Sequence, residues 1–148
     1  MKHILDSQKQ NLTILSLVNW LGKVFEEEIS KRIDNKLISQ KAVRYILLTL
    51  SVSDGISQND IVRSTFLKGS TISLAIGKME KEGIVERVPD TYDQRQVRVY
   101  LTESGEKLKF KIDEIMLDIS KTALQGISDK EEKIAFDVVY RMINNFYK

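Results

Sequence analysis

The side chains best suited to chemistry in this sequence are short hydroxyls and cations grouped between positions 68 and 98. The group comprises Lys68, Ser70, Thr71, Ser73, Lys78, Arg95 and Arg98. Hydroxyl and cationic groups bind phosphates and the edges of base pairs, so this segment is a candidate nucleic-acid-binding surface. The alternative is a solvated surface, on which serine, threonine and lysine are common, and the residue types alone favour neither.

Cysteine and histidine, which many enzymes and metal sites use, are scarce in this sequence. The sequence has no cysteine and a single histidine, His3. Thiolate nucleophiles, disulfides and cysteine-ligated zinc are therefore excluded, and neither a Ser-His-Asp triad nor a multi-histidine metal site is expected. The densest carboxylate run is Glu26-Glu27-Glu28, but consecutive helix positions point in different directions, so a solvated face is expected there. We predict no enzyme activity, no metal and no cofactor.

The composition is that of one globular domain. The chain has 148 residues, of which 42% are hydrophobic and 30% charged, and this predicts a single domain over residues 1–148. No apolar run approaches the roughly 20 residues of a membrane helix, and no secretory leader is recognisable. We therefore expect a cytoplasmic protein without membrane contact. The net charge of +2 permits nucleic-acid binding without requiring it.

The hydrophobic spacing predicts four helices before any strand. Steps of three and four residues indicate helices over about 7–33 and 39–51. A short third helix is expected from the cap residue Ser57 to about Ser64, because Ser57 and Asp60 have the spacing of a capping box. A fourth helix is expected to be capped by Ser70 or Gly69 and to end near residue 81.

The fourth helix has two chemically different sides. Its apolar positions recur at helical spacing and are expected to face a core; they are Ile72, Ala75, Ile76 and Met79. The opposite side carries the hydroxyls together with Leu74 and Lys78. Short side chains let a helix lie deep in a major groove, where Leu74 could contact a thymine methyl group. The third and fourth helices are therefore a candidate helix-turn-helix.

A β-branched pattern follows the fourth helix. Residues 84–88 and 96–101 are predicted to form a hairpin with a polar tip. Thr102 is the expected cap of a helix that ends near Leu124, and Ser128 with Glu131 forms a capping box for the last helix. The apolar residues that this last helix is expected to bury are Ile134, Ala135, Val138, Met142 and Ile143.

Together these elements predict a mainly α fold with a small β-hairpin wing. A winged helix-turn-helix lobe is expected over about residues 36–105, embedded in a dimerisation frame made by the helices of about 1–35 and 106–148. The first and last helices carry more apolar surface than a lobe of this size can cover. This surplus predicts a homodimer joined through those two helices.

The hairpin and the start of the following helix carry a recognisable motif. Residues Asp93 to Gly105 resemble the MarR family signature D-x-R-x-x-x-V-x-L-T-x-x-G at every defined position. Residues 70–87 resemble the recognition helix and first wing strand of that family, and residues 124–132 resemble its last inter-helix turn. The resemblance covers essentially the whole chain.

The resemblance implies a homodimeric transcriptional regulator, here favoured as a ligand-responsive repressor, that binds a pseudo-palindromic operator in double-stranded DNA. By motif position, Arg95 is the wing arginine that enters the narrow minor groove, and Asp93 holds the wing loop. Gln94 lies between them at the tip. We count Lys68, before the recognition helix, and Arg98, on the second wing strand, among the candidate DNA contacts.

The resemblance further implies a small aromatic or anionic effector, bound between the dimer helices and the DNA-binding lobe. Trp20, Arg44, Tyr45 and Phe110 are the candidate ligand residues, although Trp20 and Tyr45 are more simply explained as core residues. The rival interpretation of the chain is a helical ligand-binding or protein-interaction module whose winged helix does not read DNA. The two interpretations differ in whether Arg95 and the exposed side of the fourth helix matter for DNA binding.

Overall fold

Six helices and three short strands follow one another in the part of the chain that the structure, a computed structural model, describes: residues 12–91, 93 and 96–147. The helices are α1 (Ile14–Arg32), α2 (Lys41–Val52), α3 (Gln58–Thr65), α4 (Gly69–Lys81), α5 (Glu103–Ala123) and α6 (Asp129–Asn144). The strands are β1 (Ile56–Ser57), β2 (Val85–Pro89) and β3 (Val97–Leu101). This order confirms the predicted mainly α fold with a β-hairpin between α4 and α5.

The core of the lobe lies where α2, α3 and α4 meet the sheet. The apolar side of α4 is buried as its spacing predicted, at Ile72, Ala75, Ile76 and Met79. Its buried neighbours include Val43, Ile46, Leu47 and Leu50 of α2, Ile61 of α3, and Val85 and Val99 of the sheet. Full burial of one such side chain contributes about 1.5–3 kcal/mol. This core therefore determines which side of α4 is left at the surface.

The sheet has one strand more than the sequence predicted. The three strands lie antiparallel in the order β1-β3-β2, with Val85 opposite Leu101 and Pro89 opposite Val97. The additional strand β1 pairs Ile56 with Val99 on the far side of β3. Two residues are too short to show an alternating pattern, so β1 depends on the position of β3 rather than on its own sequence.

Most predicted helix starts are confirmed by side-chain caps. The hydroxyl oxygens of Ser57, Thr102 and Ser128 accept hydrogen bonds from backbone N–H groups three residues later, and Ser128 forms the full capping box with Glu131. The cap predicted for α4 is wrong, because the N-cap residue is Lys68 and makes no side-chain cap bond. Helix α1 is capped by Thr13 and starts at Ile14 rather than near Ser7; residues 7–11 of that prediction lie outside the described residues.

The motif glycine Gly105 marks a close approach between α5 and the loop before β2. A Cβ atom built on Gly105 would lie 2.1 Å from the carbonyl oxygen of Ile84. The hydroxyl of Thr102 donates to that same oxygen at 3.1 Å, and the Thr102 N–H donates to it as well. The first turn of α5 therefore sits directly on the root of the hairpin, and only a residue without a side chain fits there.

Much of the apolar surface of α1 and α6 is exposed in the single chain. Helix α1 packs along α5, and Arg32 Nε donates to Asp118 Oδ2 at 3.3 Å across that contact. The residues that α6 was expected to bury are not buried; no residue of α6 is, and Ile134 is 54% exposed. Beyond α6, Tyr147 stacks on Phe66 of the α3–α4 turn with ring centroids 5.5 Å apart.

Among the described residues, no helix has the length and apolarity needed to span a membrane.

Candidate nucleic-acid interface

The outer side of α4 presents small polar side chains to solvent. The predicted contact residues Lys68, Ser70, Thr71, Ser73, Leu74 and Lys78 are all exposed. Leu74 is 70% exposed, although leucine is ordinarily a core residue. An apolar side chain between hydroxyls suits a surface that meets the methyl groups and polar edges of bases. The structure thus brings the predicted residues of α4 together on one accessible face.

The start of α4 adds backbone donors to this face. The first i→i−4 hydrogen bond of the helix joins the N–H of Ile72 to the carbonyl of Lys68, at 3.1 Å. The N–H groups of residues 69–71 precede that bond and therefore have no carbonyl partner within the helix. With the helix dipole behind them, such groups favour a phosphate. Lys68 lies at the same end and supplies a full positive charge.

An ion pair ties the wing to the recognition helix α4. On β2, Arg87 donates through Nε to Glu80 Oε2 at 3.0 Å, and its Nη2 bonds the same carboxylate. These hydrogen bonds lower the pKa of Glu80 and raise that of Arg87, so the pair stays ionised at neutral pH. The two residues lie on different elements, so their spacing in the sequence does not predict the pair. The Glu80–Arg87 pair connects β2 of the hairpin to α4.

The root of the wing is organised by Asp90, which is only 6% exposed. Its carboxylate accepts from the guanidinium of Arg98 through Nε and from the backbone N–H of Asp93, the latter at 3.0 Å. Arg98 Nη1 also donates to the carbonyl of Gly55 at 2.9 Å, which joins the wing to the start of β1. The hydrogen bond that Arg98 donates to Asp90 raises the pKa of Arg98. Arg98, predicted as a DNA contact, therefore lies at the wing root with partners inside the chain.

Asp93 closes the loop at the wing tip. Its backbone carbonyl accepts from the N–H of Gln96 at 2.8 Å, and its carboxylate accepts from the Gln96 amide at 3.2 Å. These bonds match the loop-holding role that the motif implied for Asp93. The predicted tip contacts Gln94 and Arg95 lie outside the described residues.

A groove lies between α1 and α2. It has a volume of about 410 Å³ and is lined by Asn19, Gly22, Lys23, Phe25, Glu26, Lys41 and Tyr45. Lys41 lies over the ring of Tyr45, 5.2 Å from its centre. Of the four predicted ligand residues, only Tyr45 lines this groove.

The other three predicted ligand residues lie elsewhere. Arg44 is buried beside the groove, where it bonds Glu26. Trp20 is half-buried on α1, so it is not a core residue, and Phe110 is exposed on α5. The structure does not bring the four residues to one site.

Comparison with known proteins relates this geometry to regulators of transcription. Residues 41–96 match the model of the MarR family. Over 68 residues the chain is 37% identical to the HTH-type transcriptional regulator TtmR of Methylorubrum extorquens, an alignment that covers 46% of this chain but only 35% of that protein. Over 99 residues it is 25% identical to the transcriptional regulator HosA of Escherichia coli O157:H7, with 67% of this chain and 73% of the relative covered.

A solved structure shares the whole arrangement. The MarR transcriptional regulator from Methanosarcina mazei Go1 superposes with a TM-score of 0.80 at 25% identity, covering 90% of this chain and 96% of that one. The match extends far beyond residues 41–96, so the shared fold includes helices on both sides of that segment. The signature from Asp93 to Gly105, the winged helix-turn-helix and these relatives agree: residues 41–96 match the MarR family, and the fold is that of a MarR transcriptional regulator of known structure.

Proposed function

We propose that this protein binds double-stranded DNA as a homodimer and regulates transcription in response to a small molecule. The observation that carries the proposal is the division of α4 into a buried apolar side and an exposed side of hydroxyls, Leu74 and Lys78. A helix anchored in this way beside a hairpin has the form of a recognition helix with a wing. Occupation of an operator excludes other proteins from the same DNA, which is how such a dimer would repress.

Within this function the contact residues fall into two groups. Lys68, Lys78 and the backbone N–H groups at the start of α4 are assigned to phosphates, because charge and dipole attract anions without regard to sequence. Ser70, Thr71, Ser73 and Leu74 are assigned to base edges in the major groove. At the wing, Arg95 and Gln94 are assigned to the minor groove, and Asp90, Asp93 and Arg98 hold the hairpin that presents them.

The homodimer would form through α1 and α6. Apolar side chains on both helices are exposed in the single chain, among them Leu15, Leu21, Ile134 and Ile143. Exposed apolar surface of this extent usually marks an interface, and a two-fold axis would match the symmetry of a palindromic operator. The proposal assigns dimerisation to the regions of about 1–35 and 106–148. It also places the protein in the cytoplasm.

The groove between α1 and α2 is the proposed effector site. Lys23 and Lys41 supply positive charge and Tyr45 supplies an aromatic ring, which together suit a small aromatic anion. Glu26 lines this groove and bonds Arg44, which lies beside it. We therefore assign ligand contact to Tyr45 and Lys41, and a supporting role to Arg44.

Selection from a pool of random DNA duplexes tests the proposed function directly. A regulator enriches a palindromic sequence, and its affinity for that sequence falls with salt by a log–log slope of about 0.9 per phosphate contacted. Failure to enrich any sequence, together with salt-independent or absent binding, would favour the interaction-module alternative. A scrambled duplex of the same length and composition is the matched control.

A further inference from the structure

A series of polar contacts connects α1 with the α1–α2 turn at residues 36–40. Arg44 is 5% exposed and its guanidinium bonds the carboxylate of Glu26 on α1. Through Nη1 it also donates to the carbonyls of Ile38 and Ser39, at 2.9 and 2.8 Å. A buried guanidinium that loses one of these partners is left with an uncompensated charge, so the contacts hold one another in place. The turn is therefore fixed to α1 through Arg44.

The same turn contacts the recognition helix through one side chain. Gln40 is the N-cap residue of α2, and its Nε2 donates to the carbonyl of Lys36 at 3.2 Å. That bond leaves Oε1 facing outwards, where it accepts from Lys78 Nζ at 3.0 Å. Lys78 is exposed on the side of α4 that carries the hydroxyls. One amide thus joins the turn to the lysine of the candidate DNA-binding face.

We propose that Gln40 is a positioning residue for Lys78, and that Glu26 and Arg44 control this position from α1. The proposal rests on the proposed function, in which Lys78 contacts a DNA phosphate. An ammonium group has three donors, so a lysine that gives one to Gln40 keeps two for phosphate oxygens. Holding the flexible stem in advance reduces the conformational freedom lost on binding. Glu26 also lines the groove between α1 and α2, so the same carboxylate faces both the groove and this contact series.

The sharpest test uses the isosteric variant Gln40→Glu. A carboxylate in place of the amide oxygen would pair with Lys78 and neutralise its attraction to phosphate. We expect operator affinity to fall about tenfold and the salt slope to decrease in magnitude by about one, as for Lys78→Ala. Gln40→Met removes the bond to Lys78 without adding a charge, and in a Lys78→Ala background Gln40→Met should alter affinity less than about twofold, because its target has gone. Thermal unfolding of each variant establishes that it is folded, and Gln40→Met replaces Gln40→Glu if the latter is not.

The far end of the series is tested by Glu26→Gln. This variant keeps the shape of the side chain but removes the charge that holds Arg44, and we expect a three- to tenfold loss of operator affinity, roughly the effect of one weakened contact. Glu27→Gln is the matched control: its carboxylate is on the same helix, exposed, and paired with Lys31 at 3.0 Å. The control should change affinity less than about twofold.

Non-additivity distinguishes positioning from general destabilisation. If Glu26→Gln weakens binding equally with and without Lys78, the effect does not pass through that lysine and the proposal is wrong. It is also wrong if Gln40→Glu leaves affinity and salt slope unchanged while Lys78→Ala reduces both. Those results would leave the proposed function intact. A wild-type protein that shows no salt-dependent binding to any duplex would instead remove the proposed function, and this inference with it.

Discussion

Ser73 and Ile76 lie three residues apart on α4, yet Ser73 is exposed and Ile76 has no exposed surface. Ile76→Ala removes buried methylene groups and should destabilise the fold by about 2–5 kcal/mol. Ser73→Ala should change the free energy of unfolding by less than about 0.5 kcal/mol while altering operator affinity or sequence preference. Thermal unfolding and operator titration on both variants check this. The reverse pattern would mean that the assigned faces of α4 are wrong.

Arg95 belongs to the motif at the wing tip, and its predicted role comes from that position in the sequence. Arg95→Ala should weaken operator binding by about 1–3 kcal/mol and leave the dimer intact, because a guanidinium is favoured in the negative potential of a narrow groove. Operator titration at several salt concentrations and sedimentation measure the two effects. Lys130→Ala, on exposed α6, is the control for loss of one charge. Equal affinities of Arg95→Ala and wild type would remove Arg95 from the DNA contacts.

Asp90 is the residue at the wing root on which the hairpin depends. Asp90→Asn keeps the size of the side chain but removes the charge that pairs with Arg98, and should cost about 1–3 kcal/mol of stability. Faster hydrogen exchange at the N–H of Asp93, which donates to Asp90, would report loosening of the loop itself. Asp113→Asn, at an exposed carboxylate that pairs with the half-buried Lys109 on α5, is the control and should have little effect. Unchanged exchange at Asp93 would contradict the assigned role of Asp90.

The last turns of α1 carry an ionised carboxylate, Glu28, which bonds Lys31 and Arg32 on the same helix. The pKa of Glu28 is lowered from 4.5 to about 2, chiefly by its hydrogen bond from Lys31 and then by that from Arg32. Because the folded pKa lies below the unfolded one, the stabilisation is complete above about pH 4.5 and is lost as the pH falls towards about 2. Arg32 in turn reaches Asp118 of α5.

Glu28→Gln should therefore melt at a lower temperature than wild type at pH 7, with a difference that shrinks below about pH 4.5 and disappears near pH 2. Thermal unfolding of both proteins across this range measures the difference. Glu114→Gln, at an exposed position of α5, should change the melting temperature little at pH 7. A difference between Glu28→Gln and wild type that is the same at every pH would show that charge is not its cause.

Helix α6 has no buried residue in the single chain. We expect wild-type protein at micromolar concentration to sediment at roughly twice its chain mass of 17.0 kDa. Ile134→Glu places a charge on the exposed apolar side of α6 and should yield monomers with much weaker operator binding. Lys133→Glu, on the polar side shared with Asp137 and Arg141, should remain dimeric. A wild-type species of single-chain mass would contradict the dimer.

Local patterns in the sequence were sufficient to predict much of the fold of this protein. The burial of Ile72, Ile76 and Met79 followed from their helical spacing, and the cap residues Thr102 and Ser128 followed from turn chemistry within three positions. The hairpin between α4 and α5 followed from its β-branched runs. Each of these features depends on residues that are neighbours in the chain, where side-chain period and capping act directly.

Contacts between segments that are distant in the sequence could not be predicted from local patterns and are seen only in the folded structure. The pairing of β1 with β3, the bond from Lys78 to Gln40 and the hydrogen bonds of Arg98 to Asp90 and Gly55 each need partners brought together by the core. The apolar period of α6 correctly indicated a helix, but the residues that it was expected to bury are not buried in the single chain. A period does not say which surface, if any, covers the apolar side. The spacing of apolar residues predicts which side of an element tends to be buried. Which residues cover that side depends on how all the elements are arranged.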